Sequence, residues 1–223
     1  WGNADSSNVL DIMVSSSSRK VWIRHQRGGK IIRWAPENGM DNLLSYGQDQ
    51  AAGSEGGGID LFWAPATAHW TGEENAAYKI VASEVADSVA AITLRRTLKI
   101  GDLAGLTIDK TYRIAGDLPI IKVAVTFANN RDVPVPFAYW VHYALSTEST
   151  GPHYLVPTAE GLRKIVPDEA GFKHTFFRRP GAAYTAGRMG KLEKENQRGE
   201  LAGNWTAAYY PDCNCALIGQ FDT

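Results

Sequence analysis

The segment Phe137-Ala138-Tyr139-Trp140-Val141-His142-Tyr143-Ala144-Leu145 sets an indole and an imidazole two residues apart. Residues i and i+2 of an extended strand share a face. Trp140 and His142 therefore fall together, between the methyl-sized Ala138 and Ala144, with room above them. A neutral imidazole near pH 7 can pass a proton to a ring oxygen, general acid help of about 10²–10⁴ in rate. An indole offers a flat apolar surface and one N–H donor, a shape that lies well against a sugar ring. The bland alternatives are a histidine hydrogen-bonded within a sheet and a tryptophan in the core.

Other residues of matching chemistry are scattered along the chain. Trp70, in the polar run Ala68-His69-Trp70-Thr71-Gly72-Glu73-Glu74, reads as an exposed binding aromatic, whereas Trp63 reads first as core and second as a sugar contact. Asp60 follows the Gly56-Gly57-Gly58 run and reads as a rim residue, and Tyr143 neighbours His142. Glu148 is a second candidate acid–base carboxylate. Glu148, His153 and His142, together with His69, would make an imidazole–carboxylate group at a loop mouth, and His153 is also a candidate sugar contact. Their spacing fits no zinc motif, so neither metal nor cofactor is expected. Arg178 and Arg179 alternate across a strand and do not act jointly. The chain lacks a Gly-x-Ser-x-Gly elbow, a phosphate-binding loop and a dinucleotide fingerprint. Cys213 and Cys215, one residue apart, read as two thiols or as a labile bond.

These groups must be carried by strands. Ile92, Leu94, Leu98 and Ile100 form one period-two row, interrupted by Arg96. Leu106, Ile108, Tyr112 and Ile114 form a second, and Ile121, Val123, Val125 and Phe127 a third, expected to face between two sheets. Val9–Val14 is a short apolar opening segment; further strands are predicted at Val21–His25, Ile31–Trp34, Ile59–Ala64, Phe172–Arg178 and Tyr78–Val85, the last pairing with Val89 onward through Ala86-Asp87-Ser88. Trp205–Tyr210 and Ala216–Phe221 should pair through a Pro211–Asn214 turn. Gln48–Gly58 reads as a long functional loop, Thr185–Gly203 as polar and mobile, and Lys191–Gln197 as the one helical turn. The class is all-β: a single large antiparallel β-sandwich domain over residues 1–223.

Of the 223 residues 44% are hydrophobic and 21% charged, and the net charge is −1. That balance gives no field for recruiting nucleic acid or an anionic membrane. No apolar run is long enough to span a bilayer as a helix. The Trp1–Asn8 start has neither part of a signal peptide and fits a processed mature end. With the Asn204-Trp205-Thr206 sequon this leans towards an extracytoplasmic or secreted location.

Three stretches resemble the galactose mutarotase-like superfamily. They are Gly28–Trp34 with Asp41-Asn42-Leu43-Leu44, Gly56–Pro65 followed by Trp70, and Thr107–Leu145. The resemblance implies a large antiparallel supersandwich with a carbohydrate cleft on a concave sheet. It implies His142 as the general acid of an aldose 1-epimerase-like reaction. Two motif positions depart from that pattern: no histidine follows Gly56-Gly57-Gly58, and no glutamate lies in Ala216–Thr223. The base is either carried on a further C-terminal segment or was never present. The function expected first is carbohydrate binding through Trp140, His142, Trp70 and Asp60. A sugar-processing enzyme, either epimerase-like or an accessory domain of a lyase or hydrolase, is the second reading. A structural or assembly protein that keeps the fold without a working cleft is the third.

Overall fold

The computed structural model describes residues 11–16, 19–36, 43–44, 58–63, 76–99, 101–143, 152–166, 175–178 and 197–220. The chain is all-β and sandwich-like, divided into two compact units, Trp1–Leu145 and Ser146–Thr223. Among the described residues no helix is long and apolar enough to cross a membrane.

The first unit opens with β1 (Ile12–Ser15), β2 (Arg19–Arg24) and β3 (Lys30–Pro36), an antiparallel sheet in that order. The β2–β3 turn is anchored from outside: the Gly28 amide donates to the Ala76 carbonyl and the Tyr78 amide to the His25 carbonyl, both at 2.8 Å. A buried ion pair fixes the start of this sheet. Arg24 Nε and Nη2 reach Asp11 Oδ1 and Oδ2 at 2.7 and 2.9 Å, and both side chains are sealed. β4 (Gly58–Trp63) pairs antiparallel with β9 (Ala138–Tyr143).

Between those two partners runs an antiparallel meander of β5 (Lys79–Ala86), β6 (Val89–Thr97), β7 (Leu106–Ala115) and β8 (Ile121–Asn129). Its first turn, Asp87-Ser88, has φ of 49° and 60°, the doubly positive backbone that suits the twist of a two-residue hairpin. One turn of 3-10 helix, Gly101–Leu103, joins β6 to β7. The first two apolar rows are buried on one face of the sheet: Ile92, Leu94 and Leu98 in and just after β6, and Leu106, Ile108, Tyr112 and Ile114 in β7. Ile100 lies outside the described residues. The third row behaves differently from expectation. Ile121, Val123, Val125 and Phe127 pair with Ile114, Tyr112, Lys110 and Ile108 and so share the inner face, but Val123 is 40% exposed and the other three are half-buried. Among the described residues β8 is an edge strand of this sheet, with no strand paired along its outer flank.

In the second unit β10 (His153–Thr158), β11 (Gly161–Ile165), β14 (Trp205–Tyr210) and β15 (Cys215–Gln220) form a sheet of order β11-β10-β14-β15. β12 (Thr175–Arg178) and β13 (Gln197–Glu200) make a parallel pair. The β10–β11 hairpin was not anticipated, because Pro157 interrupts an otherwise apolar run and prolines usually mark strand limits. Gln197 opens β13 rather than closing a helical turn; residues 191–196 lie outside the described set. Pro211–Cys213 form a 3-10 turn, Asn214 is left-handed, and Cys213 and Cys215 are joined as a disulfide. Of the two readings of the cysteine pair, the structure has the bond and not two thiols.

Candidate functional site

The β4–β9 ribbon carries Asp60, Trp63, Trp140, His142 and Tyr143, five of the residues singled out for sugar chemistry. Its register opposes Gly58 to Tyr143, Ile59 to His142, Asp60 to Val141, Leu61 to Trp140 and Trp63 to Ala138. Directly opposed residues of an antiparallel pair lie on one face, and the face alternates along the strand. Trp63, Trp140 and His142 therefore occupy positions on the same face. Asp60 and Tyr143 occupy positions on the other, together with Phe62 and Tyr139. That second face meets the meander: the Phe127 ring lies 5.0 Å from Tyr139, edge to face, and 4.9 Å from Phe137. The register thus joins Trp63 to the Trp140–His142 group and separates Asp60 and Tyr143 from it. Alternation within 137–145 was enough to group Trp140 with His142. Assigning Trp63 to that group required the inter-strand register, which a single strand does not specify.

Trp70 and Glu148 lie outside the described residues, as does His69. His153 is in the second unit, on β10 opposite Tyr209, with the two rings 6.4 Å apart. Its Nδ1 is buried and has no hydrogen-bond partner among the described residues. No group of three His, Cys, Asp or Glu among the described residues is arranged to hold a metal ion.

Sequence reading passed over the most unusual titratable group. Lys110 sits within the second apolar row and is 1% exposed. Its Nζ donates to the Gly28 carbonyl at 2.7 Å and the Gly29 carbonyl at 3.3 Å, and lies 4.7 Å from the centre of the Tyr78 ring. The Tyr112 hydroxyl donates to the same Gly29 carbonyl at 2.6 Å. Burial first, and then the charge of Lys30, push the Lys110 ammonium well below the ordinary lysine value. Burial also raises the Tyr78 phenol. A buried amine of low basicity is the pattern of Schiff-base lysines. Here the amine is committed to two carbonyls of the β2–β3 turn, so it acts as an anchor. The visible signal was a lysine at an inward position of an alternating row.

No protein-family model, no curated protein and no solved structure matches this chain.

Proposed function

We propose that this protein recognises a carbohydrate on the β4–β9 face that carries the Trp63, Trp140 and His142 positions. The observation that carries the reading is the register, Trp63 against Ala138 and Leu61 against Trp140, which groups two indole positions with an imidazole on one side of the ribbon. The contact of Tyr139 with Phe127 on the other side supports it, since the two faces then have separate tasks. Trp140 and Trp63 stack on apolar ring faces, and His142 hydrogen-bonds a ring or hydroxyl oxygen. The resemblance to galactose mutarotase-like supersandwiches belongs to the same proposal, as does a ligand that is neither nucleic acid nor membrane.

Calorimetry of the parent and of Trp140→Ala against an oligosaccharide panel tests it. An aromatic on a ring face contributes about 1 kcal/mol beyond area burial, by analogy with aromatic pairs. The variant should therefore bind about fivefold more weakly while its circular dichroism is unchanged. A folded variant that binds as tightly as the parent places the ligand elsewhere. Binding of no sugar by either protein favours the assembly reading.

The enzymatic alternative rests on His142 sharing its face with Trp140. His142 would protonate the ring oxygen and Glu148 would take the anomeric proton. We expect no catalysed mutarotation of free aldoses by residues 1–223 in polarimetry, because no glutamate lies in Ala216–Thr223, where the resembling epimerases carry theirs. Catalysis abolished in His142→Ala would install the enzymatic reading instead.

A further inference from the structure

The outward face of the β5–β8 meander is built unlike its buried face. Thr93, Arg95 and Thr97 of β6 stand against Thr111, Asp109 and Thr107 of β7, and Asp109 and Thr107 stand against Thr126 and Ala128 of β8. Arg95 donates through Nε and Nη2 to the two Asp109 carboxylate oxygens, at 2.7 and 2.6 Å. The Thr97 and Thr107 hydroxyls are 3.1 Å apart. Asn130 Nδ2 donates to Thr107 Oγ1 at 2.7 Å and to the Gly105 carbonyl at 3.2 Å. The loop that presents Asn130 is itself tied down, by Asn129 Nδ2 to the Val133 carbonyl at 2.8 Å and Arg131 Nη1 to the Asp102 carbonyl at 2.7 Å. Arg95, Thr97, Thr107, Asp109, Thr126, Ala128 and Asn130 line an open depression of about 390 Å³.

The chemistry of this lining selects its ligand. Within the lining Arg95 and Asp109 pair their charges, so an anion reaching Arg95 would have to break a two-pronged pair. Lys79, opposite Arg95 on β5, stands beside the lining and is the reason anionic probes belong in the test. The Arg95 hydrogen bonds also hold the Asp109 carboxyl below its ordinary value, which keeps it ionised and acceptor-only at neutral pH. Two carboxylate oxygens retain unused lone pairs, and the guanidinium retains N–H groups beyond the two it spends. Acceptors and donors thus alternate over a few ångströms beside threonine hydroxyls, with Ala128 leaving the floor low. Adjacent hydroxyls of a sugar, each both donor and acceptor, match that alternation. The lining has no aromatic ring, so recognition runs through hydroxyl edges rather than through stacking.

We infer that this depression is a saccharide subsite separate from the ribbon, which takes the vicinal diol of a neutral sugar between Asp109, Arg95 and Asn130. It does not depend on the reading of Trp140 and His142. Arg95 exposes 53% of its side chain and Asp109 25%, so changes there leave the buried face intact.

The test is an amide chemical-shift titration of the whole protein with methyl α-glucoside, methyl α-mannoside, methyl β-galactoside and their oligosaccharides. Inorganic phosphate and glucuronate serve as anionic probes. Saturable shifts at 107–109 and 126–130 with at least one neutral sugar are expected. They should weaken at least tenfold in Asp109→Asn and in Arg95→Leu, and persist in Trp140→Ala. Thr126→Val, which keeps the shape and removes one hydroxyl, should weaken them about threefold. Absence of saturable shifts with any neutral sugar overturns the subsite. So does preferential binding of phosphate or glucuronate, or neutral-sugar binding unaffected by Asp109→Asn. Loss of sugar shifts in Trp140→Ala alone locates the only saccharide site on the ribbon and also overturns it.

Discussion

At the scale of single residues, Lys110 and Gly29 define how the β1–β3 sheet meets the β5–β8 meander. Gly29 has φ of +53°, and a Cβ there would sit 2.9 Å from Tyr78 Cδ2 and 3.3 Å from Leu94 Cδ1. Gly29→Ala should therefore cost at least about 1–2 kcal/mol from backbone strain alone, seen as a lower urea midpoint at unchanged slope. Lys110→Met keeps the aliphatic stem against Tyr78 but leaves the Gly28 carbonyl without this donor, a loss of about 1–3 kcal/mol. Lys110→Ala also removes the stem packing and should be the less stable of the two variants. Equal stability of the two would show that the amine, and not its stem, is what matters. The strand holding Lys110 was legible from Leu106, Ile108, Tyr112 and Ile114. Its role was not, because the carbonyls that satisfy it belong to a turn 82 residues earlier, and period-two reading carries no information across that distance.

At the scale of elements, the two hairpins with turn residues between alternating strands were the most legible features, and the β10–β11 hairpin and the sheet edges the least. Asp87-Ser88 and Pro211–Asn214 announced themselves by turn residues flanked by alternating strands, and the structure pairs Ala86 with Val89 and Tyr210 with Cys215. Since both central residues of the first turn have positive φ, Asp87→Asn with Ser88→Gly should stabilise the protein by about 0.5–1 kcal/mol. A thermal midpoint no higher than the parent's would show that the Asp87 or Ser88 side chain contributes more than the turn strain costs. The Cys213–Cys215 bond closes a loop only three residues long, across a hairpin already registered from Trp205–Gln220 to Tyr210–Cys215. Loop entropy then gives it about 1.6 kcal/mol, against about 3 for a 15-residue loop. Cys213→Ser with Cys215→Ser should keep native amide shifts along 205–210, and loss of that pattern would make the bridge a folding requirement. The exposure of Val123 was illegible for a physical reason: alternation fixes which face a residue takes, whereas its coverage depends on whether a further strand adjoins. Of the candidate site, the Trp140–His142 grouping lay within one strand and could be read. Trp63 joined it only through pairing, and the polar depression arises from three strands at once.

At the scale of the whole molecule, two buried groups of the same interface give stability an alkaline maximum. The unfolded chain binds a proton on Lys110 up to its ordinary value of 10.5, while the folded chain releases it well below that. Stability therefore rises with pH between those two values. Tyr78 works in the opposite sense. Its folded phenol is raised above the ordinary 10.0, so above about pH 10 the unfolded chain loses a proton that the folded chain keeps, and stability falls. Urea midpoints should climb from neutral pH towards pH 10 and drop beyond it, and Lys110→Met should flatten the climb without removing the drop. A parent profile that falls steadily from pH 7 would exclude the buried-amine account. The 82-residue span between Gly28 and Lys110 also orders events in time. At synthesis rates of about 5–20 residues per second, the β2–β3 ribbon leaves the ribosome roughly 4–16 s before the lysine that anchors its turn. During that interval Val21, Ile23, Ile31 and Ile32, which end up sealed, belong to a ribbon whose turn still lacks its lysine anchor. The nascent ribbon is then a natural client for a holding chaperone, and its release waits on the translation of β7.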